Sequence, residues 1–170
     1  PRLQQERAEL RGVAAALPRT SPNLSPLSLD EADFTRFTRR ALSHFGDLPK
    51  LASNPLTHLP LLETRLHARH APLNTLERAA ELKTILAESV DRLKPATGES
   101  YGTSDAWRFY NALYYPYVLG LRPYTRRAEF SAVPEIQAIL TWFRTTVPER
   151  TLHNWQNAAA ALIAKDLRES

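Results

Sequence analysis

The sequence predicts an all-α fold, a multi-helix bundle, and three observations carry that expectation. Apolar side chains recur at helical spacing through most of the chain. No segment alternates apolar and polar residues as a half-buried strand does, and most periodic segments open on a capping side chain or a proline. At 170 residues the chain is long enough to bury a core of its own.

The elements follow in order. "QQERAELRGVAAAL" reads as an amphipathic helix stopped by Pro18, and "PRTSPNLSPLSLD", with Pro18, Pro22 and Pro26 among serines, reads as an extended connection. These make an N-terminal region over residues 1–27. Ser28 and Glu31 have the S-x-x-E spacing of a capping box, which should open a helix through "EADFTRFTRRALSHF" with Phe34, Phe37, Ala41 and Phe45 on one face and Gly46 at its end. Pro49, Pro55 and Pro60 then break the chain into short turns, followed by a helix from about Pro60. Asn74 with Glu77 caps the strongest helix, "TLERAAELKTILAESVDRLK", whose buried stripe is expected to be Leu76, Leu82, Ile85, Leu86, Val90 and Leu93. A helical-bundle region thus covers residues 28–98.

The third region, residues 99–170, opens on the loop "PATGESYGTS". Ser104 and Asp105 are expected to cap the aromatic-rich helix "DAWRFYNALYYPYVLG", Pro116 to kink its last turn and Gly120 to end it. "LRPYTRRAEF" predicts a short helix with Pro123 at its first position, "VPEIQAILTWFR" another begun by Pro134, and the last helix is expected from Pro148 to about Arg168.

Composition narrows the function. The chain has no cysteine, which removes disulfide scaffolds, thiol nucleophiles and thiolate metal sites and suggests a cytoplasmic setting. Apolar runs are far shorter than the roughly 20 residues of a membrane span, so no membrane partner is expected. Lys and Arg number 22 against 18 Asp and Glu, a net charge of +4 that permits nucleic-acid binding where the cations cluster. The glycine-rich phosphate loop, the nucleophile elbow and the dinucleotide fingerprint are all absent, and an enzyme or a cofactor is not expected.

The C-terminal segment supplies the parts of a helix-turn-helix, which needs apolar residues inside two short helices and one in the turn. Ile136, Ile139, Leu140 and Phe143 can form the inward face of the supporting helix, Val147 is the turn hydrophobe, and Leu152 and Trp155 pin the second helix. Arg150, Thr151, His153, Asn154 and Asn157 are left as base-contacting candidates, because arginine suits guanine and asparagine suits adenine. Arg126, Arg127, Arg144, Thr145 and Thr146 are the candidates for phosphate contact. The bulky stretch "WFRTTV" is expected to lengthen the turn between the two helices.

"VPERTLHNWQNAAAALIAKDL" resembles the recognition helix of bacterial helix-turn-helix regulators of the sigma-factor region 4 and LuxR type. In those families a turn hydrophobe precedes a Thr-aliphatic pair, two polar positions and an anchor; here these are Val147, Thr151 with Leu152, His153 with Asn154, and Trp155. The likeness covers about Ile136 to Leu167. It implies a sequence-specific DNA-binding transcriptional regulator that inserts the helix after Pro148 into the major groove of double-stranded DNA. Such a chain would act as a homodimer or with a protein partner through its N-terminal half. The alternative is a helical protein–protein interaction module of a larger regulatory or signalling protein, without DNA binding.

Other chemistry ranks lower. His67 and His70 are spaced to share a metal, but with His44, His58 and His153 they lack a completing pattern, and no metal site is expected. Trp107, Phe109, Tyr110, Tyr114, Tyr115 and Tyr117 could stack on bases but read better as core. Arg36, Arg39 and Arg40 could meet an anionic surface and read better as the solvated side of an amphipathic helix.

Overall fold

The computed structural model describes residues 25–125 and 131–170. Among them the fold is all-α, with seven helices and no strand: α1 (Glu31–Ser43), α2 (Leu48–Ala52), α3 (Pro60–Ala68), α4 (Thr75–Asp91), α5 (Arg108–Leu113), α6 (Pro134–Thr146) and α7 (Glu149–Arg168). The expected helix before Pro18 and its connection lie outside the described residues as far as Asn23 and Leu24.

Local chemistry sets the boundaries. The capping box expected at Ser28 is displaced. Pro26–Ser28 forms a 3-10 turn in which the Ser28 hydroxyl donates to the Ser25 carbonyl at 2.7 Å, so Asp30 caps α1 instead, its Oδ1 accepting from the Asp33 amide at 2.8 Å. Asp47 caps α2, and Asn54 caps a second 3-10 turn at Pro55–His58. Asn74 caps α4 as expected, accepting from Glu77 N at 2.8 Å. Its buried stripe differs at one end: Leu76 is 61% exposed, and Ala79 takes the inward place. Leu76 lies in the first turn of α4, where the helix is just starting.

Ser104 makes no side-chain cap, and a 3-10 turn, Asp105–Trp107, leads into α5. Pro116 does more than kink the helix. Lacking an amide hydrogen, it cannot continue the α-ladder, and Tyr114–Val118 widens into a π-turn, with Leu119 N donating to Tyr114 O at 2.9 Å. Gly120 then ends the segment in the left-handed region, at φ +73°. The helix expected after Pro123 is only a turn within the described residues, with Tyr124 Oη donating to Val147 O at 2.7 Å; its remainder, residues 126–130, lies outside them.

The packing has two parts. α4 lies against α2 and α3, and α7 lies along α1 and α5. Phe34, Leu42, Leu56, Leu82, Leu86, Trp107, Leu113 and Phe143, all essentially inaccessible to solvent, form one continuous core with the inner face of α7. α1 and α7 run antiparallel: Arg168 lies over the Phe34 ring near the start of α1, while Arg39, further along α1, reaches Gln156 and Asn157 nearer the start of α7. The last turn of α1 therefore heads toward the first turns of α7.

Arginine clamps secure the α3–α4 pair. Arg65 grips both Glu88 oxygens, at 2.8 and 2.6 Å, and also Glu81 at 2.9 Å; Arg69 reaches Glu81 at 3.0 Å and Glu77 at 3.1 Å. Glu81 is thereby a buried carboxylate with two cationic partners. The hydrogen bonds that Arg65 donates to Glu88 hold the Glu88 carboxyl below its ordinary range and raise the Arg65 guanidinium above its own.

Candidate nucleic-acid interface

α6 and α7 are joined by Val147 and Pro148 alone. The turn is thus short, not lengthened as the sequence suggested, because "WFRTT" stays helical: Val147 N donates to Phe143 O at 3.2 Å, and the Thr145 hydroxyl folds back on Thr141 O at 2.8 Å. Ile139, Leu140, Phe143, Val147 and Leu152 are buried, and Ile136 and Trp155 are half-buried. Trp142 on α6 and Trp155 on α7 stack with ring centroids 6.0 Å apart and planes 17° from parallel. The apolar anchors expected of the unit are therefore in contact with the core or with each other.

The base-contacting candidates divide. Arg150, His153 and Asn154 are exposed on the first turns of α7, and Thr151 is half-buried. Arg150, Asn154 and Asn157, three and four residues apart, share one face, opposite the stripe of Leu152, Gln156, Ala159 and Ile163. Asn157, also exposed, is engaged: its Oδ1 accepts from Arg39 Nε at 3.0 Å. This bond lies at the seam where the outer faces of α1 and α7 meet.

Beneath the seam, Gln156 is a buried polar junction that the sequence reading missed. Its Nε2 donates to Ala112 O at 3.0 Å, and its Oε1 accepts from Arg39 at 3.1 Å and from Tyr117 Oη at 3.2 Å. Arg39 also lies over the Tyr117 ring at 5.2 Å. The inward phase of Gln156, four residues after Leu152, is the signal that could have found it.

Of the phosphate candidates, Arg126 and Arg127 lie outside the described residues. Thr145 and Thr146 are exposed, with hydroxyls 3.3 Å apart. Arg144 is half-buried, and its Nη1 is fully buried with no hydrogen-bond partner among the described residues. Tyr124, Arg144, Thr145, Thr146 and Glu149 line a recess of about 340 Å3 at the start of α7. Pro148 offers no side-chain acceptor there to the first amides of the helix.

Ion pairing is distributed unevenly. Arg65, Arg69, Arg78, Arg92 and Arg108, on and after α3, α4 and α5, each meet a carboxylate, as does Arg36. Arg39, Arg40, Arg144, Arg150 and Arg168 meet none within 4.0 Å among the described residues, and all five belong to α1, α6 and α7. The aromatic cluster is core: Trp107, Tyr110 and Tyr115 are buried, and Tyr110 stacks on Tyr114 at 4.9 Å. Burial pushes the Tyr115 and Tyr124 hydroxyls up to about 12, and Tyr110 higher still.

Among the described residues no three His, Asp or Glu side chains come together as metal ligands, and no helix is long and apolar enough to cross a membrane. Comparison with protein-family models, with curated proteins and with solved structures gives no match.

Proposed function

We propose that the chain is a double-stranded DNA-binding module of a transcriptional regulator. In this reading the first turns of α7 enter the major groove, and α1 and α6 flank it with arginines. The observation that carries it is that, among the described residues, the arginines without a carboxylate partner belong to α1, α6 and α7, while the arginines of the α3–α4 side are neutralised in place. Unneutralised cations are what a polyanion rewards, because each phosphate contact releases counterions. The exposed Arg150, His153 and Asn154, on the first turns of α7, carry the donor and acceptor groups that read base edges. In this arrangement bidentate contact of Asn157 with adenine competes with Arg39 for the Asn157 Oδ1.

A second reading, a helical protein-interaction module, is favoured by a different observation. Leu73 and Leu76 stand 40% and 61% exposed, just before and within the first turn of α4 and close together in sequence.

Fluorescence anisotropy with a random duplex pool at two salt concentrations, followed by sequencing of the bound fraction, tests the DNA reading. Arg150→Ala or Asn154→Ala is expected to weaken the selected site by about 5- to 150-fold, the roughly 1–3 kcal/mol of one base contact, and to relax the preference at one position. Absence of binding at low salt, or unchanged affinity in both variants, refutes it.

A further inference from the structure

We propose that Arg40, His44, Lys50 and Ser53 form an anion site for a phosphoryl group, separate from the face of α7. The four side chains, with Asn54 and Pro55, line a recess of about 170 Å3 between the last turn of α1 and the segment after α2. Three cationic or protonatable groups from two elements converge on it. The Arg40 guanidinium lies over the Phe37 ring at 5.3 Å and meets no carboxylate among the described residues, whereas its neighbour Arg36, over the same ring, is paired with Asp33 at 3.0 Å. The His44 ring makes no hydrogen bond among the described residues, and Lys50 has only Asp47, at a loose 3.9 Å. Ser53 Oγ contacts Pro49 O at a marginal 3.5 Å. Asn54, by contrast, is fully used: its amide donates to Phe37 O at 3.0 Å and its Oδ1 accepts from Leu56 N at 2.9 Å, so it holds the wall of the recess in place.

Attraction to the carbonyl end of α1 accounts for one cation there. Lys50 lies likewise in the last turn of α2, and the two helix ends bring cations of both elements to one recess. A phosphoryl group satisfies these groups together, because each of its non-bridging oxygens accepts more than one hydrogen bond and can be shared among the Arg40 fork, the ammonium, the imidazole and the hydroxyl. The antiparallel course of α1 and α7 carries this recess toward the end of the molecule where Arg150 and His153 are exposed. A duplex whose sugar–phosphate backbone crosses α1 at that end would reach the recess. The anion site stands on its own geometry, and only its assignment to a DNA backbone phosphate rests on the function proposed above.

Two measurements on the full chain test this. In the first, amide and imidazole NMR resonances are followed while inorganic phosphate is added against a chloride control of equal ionic strength. Saturable shifts confined to His44, Ser53 and their neighbours are expected, and Arg40→Ala/Lys50→Ala, both exposed positions, should weaken the binding at least tenfold. No saturable shift, or the same shift in the double variant, overturns the site. In the second, the salt dependence of duplex binding is compared for the same proteins. The double variant should lower the slope of log affinity against log salt by about one, at about 0.9 for the one phosphate contact the site makes. An unchanged slope overturns the backbone assignment. A chain that binds no duplex yet keeps the phosphate shifts refutes the DNA reading and supports this site with free phosphate as its ligand.

Discussion

Gly102 shows how much one missing side chain can matter. A Cβ placed there would lie 2.5 Å from Trp107 Nε1 and 2.7 Å from Cδ1 of the same ring, and that ring is fully buried. The Gly102 carbonyl is also fixed, accepting from Asn111 Nδ2 at 2.8 Å. Gly102→Ala must therefore push either the indole or the loop, and is expected to cost about 1–3 kcal/mol, the usual range for overpacking, as read by urea denaturation. In the sequence Gly102 is one residue of a polar loop, and nothing in "PATGESYGTS" shows that Trp107 folds back over it. Asn74 was legible because a cap acts within one turn of its own position. Ser28 was misread for the same local reason: the competing turn at Pro26 uses its hydroxyl first.

At the level of elements, periodicity located six of the seven helices, although the aromatic-rich one, expected as a single helix to Gly120, is α only over Arg108–Leu113, and the short α2 fell among the turns expected between Pro49 and Pro60. What periodicity could not give is how one helix holds another. The clamp of Arg65 on Glu88 and Glu81 spans α3 and α4, and neither helix announces it alone. The Glu88 carboxyl is lowered in the folded chain, first by its hydrogen bonds from Arg65, so its contribution is present above the ordinary value of 4.5 and is lost as pH falls through the lowered one. Denaturation series from neutral to acid pH should show that loss, and Glu88→Gln should flatten it while lowering stability at neutral pH. An acid limb unchanged in the variant would remove Glu88 as its source. The π-turn was likewise half legible: Pro116 foretold a break, but not that the chain would widen and place Tyr117 against Gln156.

Across the whole molecule, the helical class follows from patterns spread over the chain, but the candidate site depends on which surfaces end up adjacent. Arg39 reads as one more solvated cation, yet it joins α1 to α7; Asn157 reads as a free side chain, yet it is that arginine's partner. The tyrosines give a global test. Tyr115 and Tyr124 are raised by burial to about 12 from an ordinary 10.0, so the folded chain keeps protons that the unfolded chain gives up. Stability is then complete below the ordinary value and declines as pH rises through the raised one. Phenolate absorbance for these tyrosines should appear together with the loss of helical circular dichroism; titration well before unfolding would contradict their burial. The α1–α7 seam also has a temporal side. Its hydrogen bonds join residues 117 and 118 positions apart, whereas α2, α3 and α4 are close neighbours along the chain. On a ribosome the central unit has everything it needs early, while α1 must hold Phe34, Ala41 and Leu42 without their main cover until α7 emerges, so closing the molecule is a late step.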